Sequence, residues 1–237
     1  MQRASKVLLI VLFSGTIIFP LFSQNERREK NRFISVVEQN LVTPDGKVFL
    51  MKGINLGNWL NPEGYMFLFQ DVNSYRLIDQ ALKEMVGPDF VNQFWRKFQE
   101  NYITQDDIRY IRQTGMNSIR IPFHYKLFTC EDFMGSNNPN RGFELLDSVI
   151  QWCKEEGLYV VLDMHAAPGG QTGDNIDDSY GYPWLFESPK NQALFCSIWK
   201  RIAEHYADEP TVLGYDLLNE PIAHFFDNKD ELNNYLE

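Results

Sequence analysis

The sequence predicts an α/β fold: a (β/α)8 TIM barrel, truncated to about the first four βα units. Three observations lead there. Apolar runs and amphipathic runs alternate, strand then helix, from about residue 50 to residue 221, which implies repeated right-handed crossovers and a parallel sheet. Polar residues gather just after each expected strand, where such a barrel carries its active site. The loop after the first core strand holds Trp59, Glu63 and Tyr65, where a doubly wound sheet, the alternative, would carry a glycine-rich phosphate loop.

The start of the chain reads as a targeting segment. Arg3 and Lys6 supply a positive end, Val7 to Phe13 an apolar core, and Ser23 a small residue for cleavage. A retained membrane anchor is the alternative, but the core is short and Gly15 and Pro20 interrupt it. Residues 1–23 are therefore expected to be a cleaved signal. The protein is then secreted or periplasmic, with no stable membrane association after cleavage. Residues 24–32 are charged and read as a disordered lead-in, and residues 33–237 as a partial barrel domain.

In that domain, Phe33–Val37 and Val48–Met51 flank the turn residues Thr43 to Gly46 and suggest a hairpin. Leu50–Ile54 is the first core strand. Ser74–Met85 and Asp89–Gln99 read as helices. Thr104 is placed to cap a third helix, with Asp106 and Asp107 in its first turn. Asn117–Pro122 is the second core strand. Gly142–Glu156 is an amphipathic helix with Leu146, Val149, Ile150 and Cys153 on one face. Leu158–His165 is the third strand, residues 166–188 a Gly- and Asp-rich loop, and Asn191–Tyr206 a helix.

The fourth strand, Val212 to Pro221, is nearly continuous in apolar residues, so it is expected to be buried on both faces. Pro221 disfavours helical angles at Glu220, which places that carboxyl on extended backbone at the strand's end. A full barrel usually takes about 250 residues, more than remain once the signal is set aside. The sequence therefore reads as the N-terminal half, with two open edges and an uncovered apolar face that invite self-association.

Composition narrows the chemistry. The net charge of −10 argues against nucleic acid as a partner, since phosphate binding needs a basic surface. Three cysteines leave at least one thiol unpaired, and Cys153 on its apolar face suits a buried free thiol. No CxxC or Cys/His metal spacing occurs, so neither a disulfide nor a zinc site is expected, and the reading as a whole calls for no metal or organic cofactor. Asp163, His165 and His124 could hint at a metal site, but the tighter HExxH pattern is missing.

One constellation stands out. Asn219 and Glu220 end the fourth strand, His165 ends the third, Arg120 lies on the second, and Asn58, Trp59 and Glu63 follow the first. The barrel rule gathers them on one face. The motifs that carry them, GINLGNWL, IRIPFHY, VVLDMHAAPG and GYDLLNEP, resemble in content and order glycoside hydrolase family 5, the cellulase-like enzymes. The likeness runs from roughly Leu41 to Pro221. GNWLNPEG and APGGQTGDN look most like the β-glucanase branch that includes exo-β-1,3-glucanases.

The resemblance implies a retaining hydrolase of β-glucan, either oligo- or polysaccharide. Glu220 would be the acid and later the base, its pKa raised by burial or by a neighbouring carboxylate. Asn219 would bond the sugar 2-hydroxyl, Arg120 the nucleophilic carboxylate, and His165 would orient the network. Glu63 would bind sugar hydroxyls, and His124, Tyr125, Asp174 and Asn175 are loop candidates for substrate contact. The family's nucleophile is a Glu at the end of a seventh strand, beyond the four read here. Asp163 is set aside for that role because it lies nearer the barrel interior. The given chain alone is accordingly expected to hydrolyse nothing. A non-catalytic carbohydrate-binding barrel and a mannanase-like member of the same clan are the competing readings.

Overall fold

The computed structural model describes residues 32–222. The expected signal and nearly all of the expected lead-in lie outside the described residues. Six strands and five α-helices follow in order: β1 Ser35–Val37, β2 Asn40–Val42, β3 Gly53–Asn55, α1 Tyr75–Val86, α2 Pro88–Asn101, α3 Gln105–Gln113, β4 Ser118–His124, α4 Arg141–Glu156, β5 Tyr159–Ala166, α5 Pro189–His205 and β6 Val212–Asp216. Strands β3, β4, β5 and β6 lie side by side in that order, and every pair is parallel. This is the βα succession of a barrel, as the alternation of patterns predicts.

The helices begin and end for local reasons. Before α3, the Asp107 carboxylate accepts from the Thr104 backbone N–H at 2.8 Å and from its hydroxyl at 2.7 Å, satisfying donors that a helix start leaves open. Gly157 ends α4 at φ 68°, in the left-handed region that glycine enters without a Cβ clash. Pro189 opens α5, where a missing N–H costs nothing.

The core lies between the sheet and the helices. Ile119, Ile121 and Phe123 of β4 and Val160, Leu162 and Met164 of β5 are fully buried, and they form one cluster with Leu146 and Val149 of α4 and Ile198 and Ile202 of α5. Each such side chain contributes about 1.5–3 kcal/mol by leaving water. A strand alternates its faces, so Arg120, Asp163 and His165 take the other side of the sheet. Cys153 joins the core as a free thiol, and burial pushes its pKa up to about 12.

Two expectations need correction. The first hairpin is tighter than read: β1 pairs with β2 across Glu38, which stands at φ 55°. Thr43 to Gly46 makes a second turn, which closes a bridge from Val42 to Val48. The fourth core strand is also shorter and less enclosed. β6 stops at Asp216, and Tyr215 and Leu217 are 37% and 56% exposed. Among the described residues β6 pairs only with β5, so its apolar content does not translate into burial on both faces.

Candidate active site

Strands β3 to β6 bring their carboxyl ends to one side, and a hollow of about 340 Å³ opens there, lined in part by Glu63, Tyr65, Arg120, His165, Asn219 and Glu220. The barrel rule applied to the sequence thus collects Arg120, His165, Asn219, Glu220 and Glu63 in one place. Tyr65 joins them. Its hydroxyl bonds to Glu63, whose negative charge is the main cause of its raised pKa, followed by burial and, more weakly, Glu220.

Two lining residues, Arg120 and His165, share a buried carboxylate. Asp163 has no exposed side-chain surface. Its Oδ2 lies 2.9 Å from Arg120 Nη2 and 2.7 Å from His165 Nδ1. Burial raises the Asp163 pKa, against the pull of His165 and Arg120. His165 is clamped on its other side as well, with Nε2 3.1 Å from Glu63 Oε1. Burial opposes charging the imidazole, but the bonds to Asp163 and Glu63 outweigh it and raise the pKa to about 9. At neutral pH His165 is therefore an imidazolium that donates from both nitrogens.

That protonation state frees a donor. Arg120 Nη2 donates to Asn219 Oδ1 at 3.0 Å, which orients the amide and leaves Nδ2 pointing toward His165. Because Nε2 already carries a hydrogen, the 3.3 Å approach of Asn219 Nδ2 joins two donors and is no hydrogen bond. The Asn219 NH2 is left to donate into the hollow. Arg120 completes its fork on Asp216, with Nε at 3.0 Å and Nη2 at 2.8 Å, and Nη1 donates to Asn55 Oδ1 at 3.2 Å. Asp216 and Asn55 were missed in the sequence. A charged residue inside an apolar run and a polar one closing GIN were the available signals.

Glu220 is exposed and does not sit on extended backbone. Its φ is 44°, and Ile222 two residues on stands at 46°. The left-handed region costs such residues about 1–3 kcal/mol each. Pro221 excludes the right-handed helical region at Glu220, and the left-handed one satisfies that exclusion too. Ladder pairing with β5 ends at Asp216, and beyond it the Asn219 N–H donates to Met164 O at 3.3 Å.

The loop after β5 forms one wall. Asp177 is buried, and its Oδ2 accepts from the backbone N–H groups of Gln171 at 2.6 Å and Thr172 at 2.8 Å, while Oδ1 accepts from Ser179 N–H at 3.0 Å. Gly170 makes this close turn possible at φ +82°, where an added Cβ would meet Ser179 Cβ at 2.3 Å.

Four other expected contact residues do not line the hollow. The β4–β5 ladder is irregular between Phe123 and His124, which ends the alternation that would have aimed His124 inward. His124 is instead fully buried, against Phe133 and below Asp178. Its Nδ1 accepts from the Lys126 N–H at 3.1 Å, so the proton sits on Nε2 and faces Asp178 Oδ2 at 3.2 Å. Burial lowers its pKa, in keeping with a neutral ring. Tyr125 donates to Glu131 at 3.0 Å. Asp174 caps the 3-10 turn Asn175–Asp177, and the same loop sends Ile176 and Asp177 to the hollow in place of Asp174 and Asn175. Among the described residues no group of His, Cys, Asp and Glu could hold a metal ion.

Known proteins resemble this chain in sequence and in fold. A family model described as cellulase, glycosyl hydrolase family 5, matches residues 79–237. A β-xylosidase of Phanerodontia chrysosporium is 35% identical over 194 residues, covering 80% of this chain and 39% of that protein. A probable glucan 1,3-β-glucosidase A of Aspergillus clavatus is 30% identical over 189 residues, covering 78% and 45%. The crystal structure of rutinosidase from Aspergillus niger superposes with a TM-score of 0.58 at 21% identity, covering 73% of this chain and 49% of that one. The chain spans less than half the length of each of these relatives.

Proposed function

This chain belongs to glycosyl hydrolase family 5, the cellulase family, and on that premise we propose that it carries the acid/base side of a retaining β-glucan hydrolase. The observation that carries the reading is that Arg120, His165, Asn219 and Glu220 line one hollow, with Arg120 and His165 bound to a common buried carboxylate.

Glycosidic oxygen is a poor leaving group, so it must receive a proton as the bond breaks. Glu220, at the rim, gives that proton and later takes one from water. Asn219, its amide turned by Arg120, donates to the sugar 2-hydroxyl, a bond that strengthens in the transition state. Glu63 accepts a sugar hydroxyl while holding His165. The carboxylate nucleophile belongs, in the family pattern, to a seventh strand beyond the four described. In a retaining enzyme it stands about 5–5.5 Å from the acid.

The substrate is a β-linked glucan. The likeness to a probable glucan 1,3-β-glucosidase supports this, and the 35% identity to a β-xylosidase brings xylan into the test. Residues 1–23 act as an export signal, so the work is done outside the cytoplasm. Among the described residues no helix is long and apolar enough to cross a membrane.

The test is hydrolysis of laminarin, carboxymethyl-cellulose, xylan and mannan by the longest protein that carries this chain. Glucan turnover that falls about 10²–10⁴-fold in Glu220→Gln supports the reading. Turnover of mannan or xylan alone contradicts the substrate assignment, and unchanged turnover in the variant contradicts the role of Glu220.

A further inference from the structure

Two non-glycine residues at positive φ, Glu220 and Ile222, make the turn that carries the acid. Something outside the turn must hold it, because local preference runs against it. The contacts converge on Gln171, which has no exposed surface and lies on a different loop. Its Nε2 donates to Asn219 O at 3.0 Å and to His165 O at 2.8 Å. Its Oε1 accepts from the Ala167 N–H at 3.0 Å, and its backbone carbonyl accepts from the Ile222 N–H at 2.5 Å. One residue thus ties the end of β5 to both flanks of Glu220, and Asp177 ties Gln171 in turn through its N–H at 2.6 Å.

We propose that Gln171 is the positioning residue of this site: it fixes the distance between the β5 end, with His165, and the turn that presents Glu220. It touches no substrate. The proposal rests on the reading of Glu220 as the acid. A proton donor must stay within hydrogen-bond reach of the leaving oxygen, and a misplacement of about 1 Å can cost on the order of 10²-fold in rate. A carboxamide suits the position because it supplies two donors and an acceptor together. A methionine of similar length supplies none of these, and a glutamate keeps one donor only while protonated.

The test is amide hydrogen exchange on the longest protein that carries this chain, comparing the unsubstituted protein with Gln171→Met and Gln171→Glu. In Gln171→Met, protection at Ala167, Asn219 and Ile222 should fall at least about tenfold, about 1.4 kcal/mol, while Leu146 and Val149 in α4 keep theirs. In Gln171→Glu the Asn219 and Ile222 amides should be protected at low pH, when the new carboxyl is neutral and can donate, and lose protection as it ionises, while the Ala167 amide keeps its acceptor throughout. Unchanged protection in Gln171→Met, or a loss spread evenly over α4, would overturn the proposal. If Gln171→Met does not fold, Gln171→Glu decides: protection at the turn that is independent of pH overturns it. In the longest protein that carries the chain, Gln171→Met should lower kcat and leave KM near its original value. The exchange result does not depend on turnover, so a Glu220→Gln variant of full activity would remove the catalytic reading without touching the structural one.

Discussion

Asp163 Oδ2 lies 2.7 Å from His165 Nδ1 and 2.9 Å from Arg120 Nη2, so one fully buried carboxylate holds the two cations of the site. The spacing of two residues on β5 puts Asp163 and His165 on one face, and the parallel register sets Arg120 opposite Val161, two residues from Asp163 and on the same face.

This pairing sets a pH dependence. An unfolded chain leaves His165 at about 6.5, and the fold raises it to about 9. The folded state binds that proton more tightly, so the stabilisation is complete below about pH 6.5 and is lost as pH rises through about 9. The shift is worth at most about 3 kcal/mol. Burial of Asp163, which raises that carboxyl's pKa, takes back part of it. Urea unfolding at pH 6 and at pH 9.5 should show the unsubstituted chain losing more stability than His165→Gln between the two.

Removing the shared carboxylate should release both cations. In Asp163→Ala, His165 keeps only Glu63 and Arg120 keeps Asp216. Breaking a buried pair costs about 3–5 kcal/mol. The His165 imidazole, followed by NMR, should titrate closer to its ordinary value. An unmoved titration would mean that Glu63 alone sets its charge.

The Gly170 turn gives a test of strain against clash. Gly170 and Gly181 stand at φ +82° and +81°, but only at Gly170 would a Cβ meet neighbours, with Ser179 Cβ at 2.3 Å and nothing within 4 Å at Gly181. Left-handed strain alone costs about 1–3 kcal/mol, which should be the loss in Gly181→Ala. Gly170→Ala should lose more, with the melting temperature falling about 2–4 °C for each kcal/mol.

Much of this was legible in the sequence, and the limit has a physical cause. Ile119, Ile121 and Phe123 alternate, and Leu146, Val149, Ile150 and Cys153 recur at helical spacing, so β4 and α4 follow from period alone. Strand ends then place Arg120, His165, Asn219 and Glu220 together. The misses depend on contacts far apart in the chain. The turn at Glu220 is held by Gln171, some fifty residues earlier. His124 has the parity of Arg120, but the irregular ladder at Phe123 and the loop carrying Asp178 enclose it. Asp163 was seen in the sequence, yet its bond to Arg120 crosses from one strand to the next.

The central claim is that Glu220 delivers a proton to the leaving oxygen, and leaving-group dependence tests it most directly. In the longest protein that carries this chain, Glu220→Gln should slow hydrolysis of a laminari-oligosaccharide about 10²–10⁴-fold. The first-step burst on a dinitrophenyl β-glucoside, whose leaving group needs no proton, should be nearly unaffected. Equal losses on both substrates, or none on either, would contradict the account.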